Sequence, residues 1–284
     1  LGKGSRMSKK INVFGGGGFV GSKYCELTPD VIKNNRDDYS VSPIVTDIVY
    51  FISTVDNYNV HTDMHIDINT NLNVMMDVLK SFRENSPDAV FNFISSWFVY
   101  GNVPLPAKED SHCDPRGFYS ITKRAAEQML ISYCETFGLK YRILRLGNVL
   151  GANDNKVSKK KNALQYMINQ IKEDQDINLY DNGTFYRDYS HVDDIVQGIN
   201  LVIEKGAVND IYNIGSGEPT YIKNAMEYAV KTYGSLSTLN SIPPAEFHGV
   251  VQTKNMVLDI SKIKSLGYVP KYSFYDTVDS LLYK

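Results

Sequence analysis

Residues 11–21 read Ile11-Asn12-Val13-Phe14-Gly15-Gly16-Gly17-Gly18-Phe19-Val20-Gly21, and this stretch decides the fold. An apolar run that stops at a glycine cluster predicts a strand, a tight turn and a helix opening at about Gly18. Such a turn brings backbone N–H groups up to a pyrophosphate. The glycines are spaced Gly15-x-x-Gly18-x-x-Gly21, which differs from the GxGxxG of the dehydrogenase fingerprint. Four consecutive glycines also suit a flexible turn without a ligand. Their place directly after the first strand favours cofactor binding.

Working outward, residues 30–34 predict a second strand. It ends in Asn34-Asn35-Arg36, with Asp37 and Asp38 beyond. An acidic residue there would accept from a ribose 2′-OH, whereas amides followed by a guanidinium suit a 2′-phosphate. The cofactor is therefore NAD or NADP with a slight lean to NADP, through Asn35 and Arg36; Asp37 or Asp38 serves the ribose if the register slips. Only seven residues separate Arg36 from the next strand, 44–54, which has Asp47 at its entry. That leaves little room for a further strand and helix. A helix over 63–84, a buried strand in 88–101 and another in 141–151 alternate in the manner of a parallel, doubly wound sheet covered on both faces. Beyond Gly151 come a polar, lysine-rich stretch, a helix in 163–173, a strand and turn in 177–189, a helix over 191–206 and a strand-to-turn in 210–219. The expected division is a nucleotide domain over 7–150, to which 188–218 returns, and a smaller lobe formed by 151–187 and 219–284. The leader 1–6, ahead of Met7, is expected to be an expression-tag remnant.

The 284 residues are 43% hydrophobic and 22% charged, which suits a globular protein with a sizeable core. A net charge of −2 gives no footing for nucleic acid as a partner. Three cysteines, Cys25, Cys113 and Cys134, lack CxxC spacing, so a reduced, cytoplasmic setting and no metal are expected. The apolar runs fall short of the ~18 residues that span a membrane. Lys159, Lys160 and Lys161 form a compact basic run, either a solvated loop or a phosphate contact.

Tyr119 and Lys123 stand four apart in FYSITKRAAEQ (118–128), a predicted helix, and so on one face. A nearby ammonium favours phenolate and is expected to lower the tyrosine pKa into the range of an acid/base catalyst. Taken alone, this spacing also fits two exposed residues on a solvated face.

Together, the glycine turn, Ser95-Ser96-Trp97-Phe98-Val99-Tyr100-Gly101, Tyr119-Ser120-Ile121-Thr122-Lys123, Arg145-Leu146-Gly147-Asn148-Val149-Leu150-Gly151 and Arg187-Asp188-Tyr189-Ser190-His191-Val192-Asp193-Asp194 resemble the extended short-chain dehydrogenase/reductase family. Within it they are similar to the nucleotide-sugar epimerases, dehydratases and reductases. The resemblance implies a Rossmann-type sheet with a C-terminal substrate lobe. It also implies that Gly15, Gly18 and Gly21 take the cofactor pyrophosphate beside Phe19 and Val20, and that Ser53 and Thr54 line the cofactor. Ser96 would bind the reacting sugar oxygen, Tyr119 move its proton, and Lys123 hold the nicotinamide ribose. Asn148 would lie near the substrate diphosphate and Arg187 bind a phosphate. A homodimer is implied as well. Other roles remain open: Ser96 also fits a strand-end cap, Asn148 a turn residue, and Arg187 a structural ion pair with Asp188 or Asp193. Asp193 and Asp194 fit a helix N-terminus.

The family's dehydratases carry acidic residues after the serine or threonine, where this chain has Trp97 and Phe98, so elimination of water is disfavoured. Redox at one carbinol remains, led by 4-epimerisation of a nucleotide sugar, with NADPH-dependent 4-keto-sugar reduction as the alternative and a non-catalytic NAD(P)-binding regulator less favoured. The cysteine used by epimerase/reductases of the GDP-fucose-synthase type is missing here, and Cys113 lies in the loop before Tyr119. The C-terminal arginine that often closes the substrate site is replaced by His248-Gly249-Val250-Val251-Gln252-Thr253-Lys254. The diphosphate then relies on Arg187, Lys254 or the 159–161 lysines.

Overall fold

The computed structural model describes residues 10–154, 157–158, 160–251 and 253–283. The leader, Lys159 and Gln252 lie outside them. Strand β1 (Ile11–Phe14) enters the glycine turn and helix α1 (Phe19–Leu27), followed by β2 (Val31–Lys33) and β3 (Asp47–Tyr50). Helices α2 (His65–Ile68) and α3 (Val74–Asn85), joined by a π-helical stretch at Asn69–Asn73, lead to β4 (Val90–Ser96). A 3₁₀ turn at Trp97–Val99 and helix α4 (Phe118–Phe137) precede β5 (Lys140–Leu146). Next come β6 (Asn148–Leu150), α5 (Ala163–Lys172), β7 (Ile177–Tyr180), β8 (Tyr186–His191), α6 (Val192–Lys205) and β9 (Asp210–Ile214). The remaining elements are β10 (Pro219–Tyr221), α7 (Ile222–Tyr233), β11 (Leu239–Ile242), α8 (Glu246–Val251), α9 (Ser261–Ser265) and α10 (Phe274–Leu282).

The main sheet has six strands in the order β2-β1-β3-β4-β5-β9, all parallel. Its strands are near-continuous apolar runs because both faces are covered. On one face Val13, Val49, Ile94, Leu144 and Ile214 pack with α1 and α6. On the other, Ile48, Tyr50, Phe91, Phe93 and Ile143 meet Met75, Leu79 and Phe82 of α3 and Ala126 and Leu130 of α4. A three-stranded sheet, β10-β8-β6, and the pair β11-β7 lie outside it. Leu150, Ile168, Ile177, Leu179, Met226 and Leu281 share a separate core.

Two strands depart from expectation. The apolar run 44–54 is extended only over Asp47–Tyr50, because its partner β1 turns away at Gly15; the last tie is Phe51 N–H to the Phe14 carbonyl, 2.9 Å. The run 141–151 is two strands in two sheets, broken at Gly147. There β5 leaves Ile214 behind and β6 pairs with β8, and a Cβ on residue 147 would stand 3.2 Å from the Asp188 carboxylate. The short link after Arg36 behaves as its length requires: β2 passes to β3 without a helix, and β3 takes the opposite side of β1.

Helix α4 is fixed to the sheet by a buried carboxylate. Glu127 accepts from Ser95 Oγ (2.6 Å), Arg145 Nε (3.0 Å) and Nη2 (2.8 Å), and Arg124 Nη1 (2.8 Å). Burial opposes its charge, yet the two-pronged Arg145 contact holds the carboxyl below its usual range. Removing one member of such a pair strands the other in the core. Glu127→Ala is expected to lower the unfolding free energy by about 3–5 kcal/mol, read from denaturant titration; a loss below about 1 kcal/mol would show that Arg145 needs no partner.

Candidate functional site

The glycine turn has the form a dinucleotide needs. Gly15 adopts φ +78°, and a Cβ there would lie 2.8 Å from the Ile52 nitrogen; one on Gly21 would lie 2.4 Å from the Gly15 carbonyl oxygen. These two glycines let strand and helix approach. At Gly17, by contrast, a Cβ would meet nothing within 4 Å, so the turn's outer surface is open. Gly18 caps α1 without a side chain, leaving the first-turn N–H groups to a ligand. Half-buried Phe19 follows, its ring near Lys161, whose ammonium pairs with Asp154 at 2.6 Å. A pyrophosphate fits this cradle.

At the end of β2, Asn34 turns inward, joined to Asn12 and donating to the Ser40 carbonyl at 2.8 Å. Asp38 accepts from the Ser40 N–H at 3.0 Å, closing its own turn. Asn35 and Arg36 are exposed, and Arg36 forms no ion pair among the described residues. Reading the strand end alone misses Lys33. A Cβ on Gly16 would stand 3.0 Å from both Lys33 Cγ and Cys25 Sγ, so the lysine stem lies across the turn.

Ser96 closes β4, where its Oγ accepts from the Phe98 N–H at 3.3 Å. Tyr119 stands in the first turn of α4, and the Ser96 and Ser53 hydroxyls beside its phenol favour the phenolate. Lys123, one turn on, donates to the Ile94 carbonyl at 2.6 Å and lies 4.3 Å from the Phe93 ring centroid. The expectation that Lys123 lowers the Tyr119 pKa is overturned in the ligand-free protein. Burial pushes the phenol up to about 12, against the pull of Ser96, and pushes Lys123 down to about 7. The reason is desolvation: both groups are buried, and no hydrogen bond joins them.

Ser53 and Thr54 belong to a network centred on Asn71. Its Oδ1 accepts from Ser53 Oγ (3.1 Å) and the Thr54 N–H (2.8 Å), while its Nδ2 donates to Thr54 Oγ1 (2.8 Å) and Thr122 Oγ1 (2.9 Å). Asn71 lies in the π-helical stretch and was missed from the sequence. The signal was an amide next to Leu72, Met75, Met76 and Leu79 on a helix expected to be apolar there.

Arg187 is 9% exposed and sandwiched between Trp97 (5.2 Å) and Phe185 (5.3 Å). It pairs with neither Asp188 nor Asp193; its one hydrogen bond among the described residues goes to the Tyr186 carbonyl at 3.4 Å. Burial pulls its pKa down to about 10. A desolvated guanidinium with no counter-ion among the described residues has the chemistry to take an anion. Asp188 instead accepts from the N–H groups of Ser216, Gly217 and Leu258, and Asn148 Nδ2 donates to its carbonyl at 2.9 Å. Asp193 and Asp194 stand in the first turn of α6. The other cations expected at a diphosphate are placed differently: Lys254 is exposed and pairs with Asp181, Lys160 lies over the Tyr58 ring, and Lys161 is taken by Asp154. His248 hydrogen-bonds Tyr58 and meets Tyr180 edge-on. Cys113 sits beside Arg145, and burial raises its pKa.

The Lys123 shift carries a sign. Its folded pKa is depressed from 10.5 to about 7, so between those values the unfolded chain binds more protons and stability rises with pH. Denaturant midpoints measured from pH 7 to pH 9 are expected to climb for the ligand-free protein relative to Lys123→Met; parallel profiles would refute the buried, proton-poor ammonium.

Comparison with known proteins places these features. Residues 45–215 match the family model described as the NAD dependent epimerase/dehydratase family. The chain is 24% identical to a low-salt glycan biosynthesis protein of Haloferax volcanii, over 95% of this chain and 96% of that one. It is 26% identical to a putative UDP-glucose 4-epimerase of Methanocaldococcus jannaschii, over 92% and 93%. A UDP-glucuronic acid 4-epimerase of Bacillus cereus, solved with UDP-glucuronic acid and NAD, superposes with a TM-score of 0.85 at 22% identity, covering 96% of this chain and 98% of that one. Further relatives and neighbours include 4,6-dehydratases, a dTDP-4-dehydro-6-deoxyglucose reductase and a structure complexed with NADPH. Among the described residues no helix is long and apolar enough to cross a membrane. The chain belongs to the NAD dependent epimerase/dehydratase family, within the extended short-chain dehydrogenases/reductases.

Proposed function

We propose that this chain carries out NAD(P)-dependent oxidoreduction at one carbinol of a nucleotide-activated sugar, foremost as a 4-epimerase. The carrying observation is the placing of Ser96 and Ser53 beside the Tyr119 phenol, with buried Arg187, which has no ion pair among the described residues, against Trp97. In this reading Gly15, Gly18 and Gly21 cradle the cofactor pyrophosphate beside Phe19 and Val20, and Ser53 and Thr54 flank the cofactor. A bound nicotinamide would accept and return the hydride. Tyr119 Oη exchanges the proton of the reacting hydroxyl, and Ser96 Oγ polarises that oxygen. Lys123 has donors beyond the one given to Ile94 and uses them on the ribose. Arg187 takes a substrate phosphate, with Asn148 beside it. Trp97 and Phe98 hold no carboxyl proton, so elimination of water lacks its acid and base. The parts 151–187 and 219–284 serve as the substrate lobe of a cytoplasmic enzyme. Exposed Ile121, Met129 and Phe137 on α4 suit a homodimer.

The second reading, NADPH-dependent reduction of a 4-keto sugar, is favoured by the end of β2. Lys33, Asn35 and Arg36 offer cations and amides there, and Asp38 is occupied by Ser40. A panel of UDP-, GDP-, CDP- and dTDP-sugars separates the two. An epimer without net loss of reduced cofactor marks the epimerase, and stoichiometric loss of NADPH marks the reductase.

Tyr119→Phe is expected to cut kcat by about 10²–10⁴ while sugar-nucleotide binding persists; unchanged turnover would remove the phenol from the reaction. Reversing charge at Lys33 and Arg36 to Glu is expected to weaken NADP⁺ binding at least about tenfold and to spare NAD⁺, by calorimetry. Equal losses for both cofactors would count against a 2′-phosphate contact.

A further inference from the structure

Between the phenol of Tyr119 and the guanidinium of Arg187 runs an unbroken aromatic ladder. The Phe98 ring meets Tyr119 edge-on at 5.8 Å and lies stacked on Trp97 at 3.9 Å, and Trp97 in turn carries Arg187 at 5.2 Å. If the reacting carbinol lies at Tyr119 and the diphosphate at Arg187, the sugar ring between them rests against this ladder. Phe98 is the half-buried rung next to the phenol, while Trp97 is 3% exposed.

The ladder is short of hydrogen-bonding groups where it flanks the reacting carbon. Phe98 has no polar side-chain atom, and its backbone N–H is given to Ser96 Oγ. Ser96 Oγ, which accepts it, faces the Tyr119 phenol and not the outer rungs. The one polar atom in the two side chains is Trp97 Nε1, a donor only and one rung further away. A hydroxyl or carboxylate pressed against Phe98 would lose water and gain no partner there, whereas a methyl group would lose nothing.

From this we infer that the sugar is a 6-deoxyhexose, whose C6 methyl stands on the ring carbon beside the reacting carbinol and lies against Phe98, and that Phe98 selects for it. The inference rests on the nucleotide-sugar reading above. Selection acts by leaving a buried hydroxyl unpaired and does not require a contact that only the deoxy sugar makes.

The test uses the cofactor-loaded full chain and matched pairs of nucleotide sugars that differ only at C6: hydroxymethyl against methyl, and carboxylate as a third member. Binding is read by calorimetry, and turnover as kcat/KM. The 6-deoxy member is expected to be favoured about tenfold or more over the hydroxymethyl one, and over the carboxylate by more. Phe98→Ser supplies a hydroxyl and is expected to narrow the first ratio to within about threefold. Phe98→Leu, which keeps the wall apolar, is expected to preserve it. Equal handling of the pair by the wild type, or a ratio untouched by Phe98→Ser in a protein that still binds nucleotide sugar, overturns the inference while the nucleotide-sugar reading stands. Failure of every nucleotide sugar to bind or react overturns both.

Discussion

The carboxylate of Glu127 is the point on which the site depends. It lies on the inner face of α4, two turns beyond Tyr119 and one beyond Lys123, and gathers Ser95 of β4 and Arg145 of β5. Ser95 directly precedes Ser96, so one buried ion pair sets how far the serine stands from the phenol. An apolar contact of the same volume would hold α4 against the sheet. It would not fix the helix's rotation or its slide along the strand, because apolar contacts are non-directional and a forked guanidinium–carboxylate pair is not. A forked, directional contact of the core thus lies directly behind Ser96, Tyr119 and Lys123.

Desolvation then governs what those groups are before any ligand arrives. Tyr119, Lys123 and Arg187 are each buried enough for their charged forms to be disfavoured. Glu127 relieves only part of the cost at Lys123, and Arg187 has no counter-ion among the described residues, so the cleft favours negative charge. An anionic ligand supplies it. Binding of such a ligand and protonation of Lys123 are therefore linked, each favouring the other.

Much of this was legible in the residues. The strand–turn–helix at 11–21 follows from four glycines after an apolar run, and the missing helix after Arg36 follows from chain length alone. The order of the motifs holding Ser96, Tyr119 and Arg187 led to the expectation that they share a site, and the aromatic rings of Phe98 and Trp97 link Tyr119 to Arg187. What stayed hidden depends on context. The break at Gly147 is invisible because residues 141–151 form one apolar run, and only a neighbouring carboxylate makes a side chain at that point a tight fit. Lys33 was overlooked because its pattern says only that it ends a strand; its reach over Gly16 is a tertiary fact. The Tyr119 pKa went the other way from expectation because the spacing of a tyrosine and a lysine reveals their charges and says nothing of how much water they keep.

Asp188 gives the chain a peculiar order of assembly. Its buried carboxylate collects the N–H groups of Ser216, Gly217 and Leu258, and its carbonyl holds Asn148. During synthesis the segment bearing Asn148 leaves the ribosome early, yet the last of these partners appears more than a hundred residues later. The six-stranded sheet also waits for β9 to pair with β5, and the Ala107 segment waits for Leu258. Until then the carboxylate lacks its last partner, the Leu258 N–H. Contacts of such wide sequence separation form late and slowly, so a nascent chain cut short before residue 258 has all six strands of the main sheet but leaves the Asp188 carboxylate one N–H short.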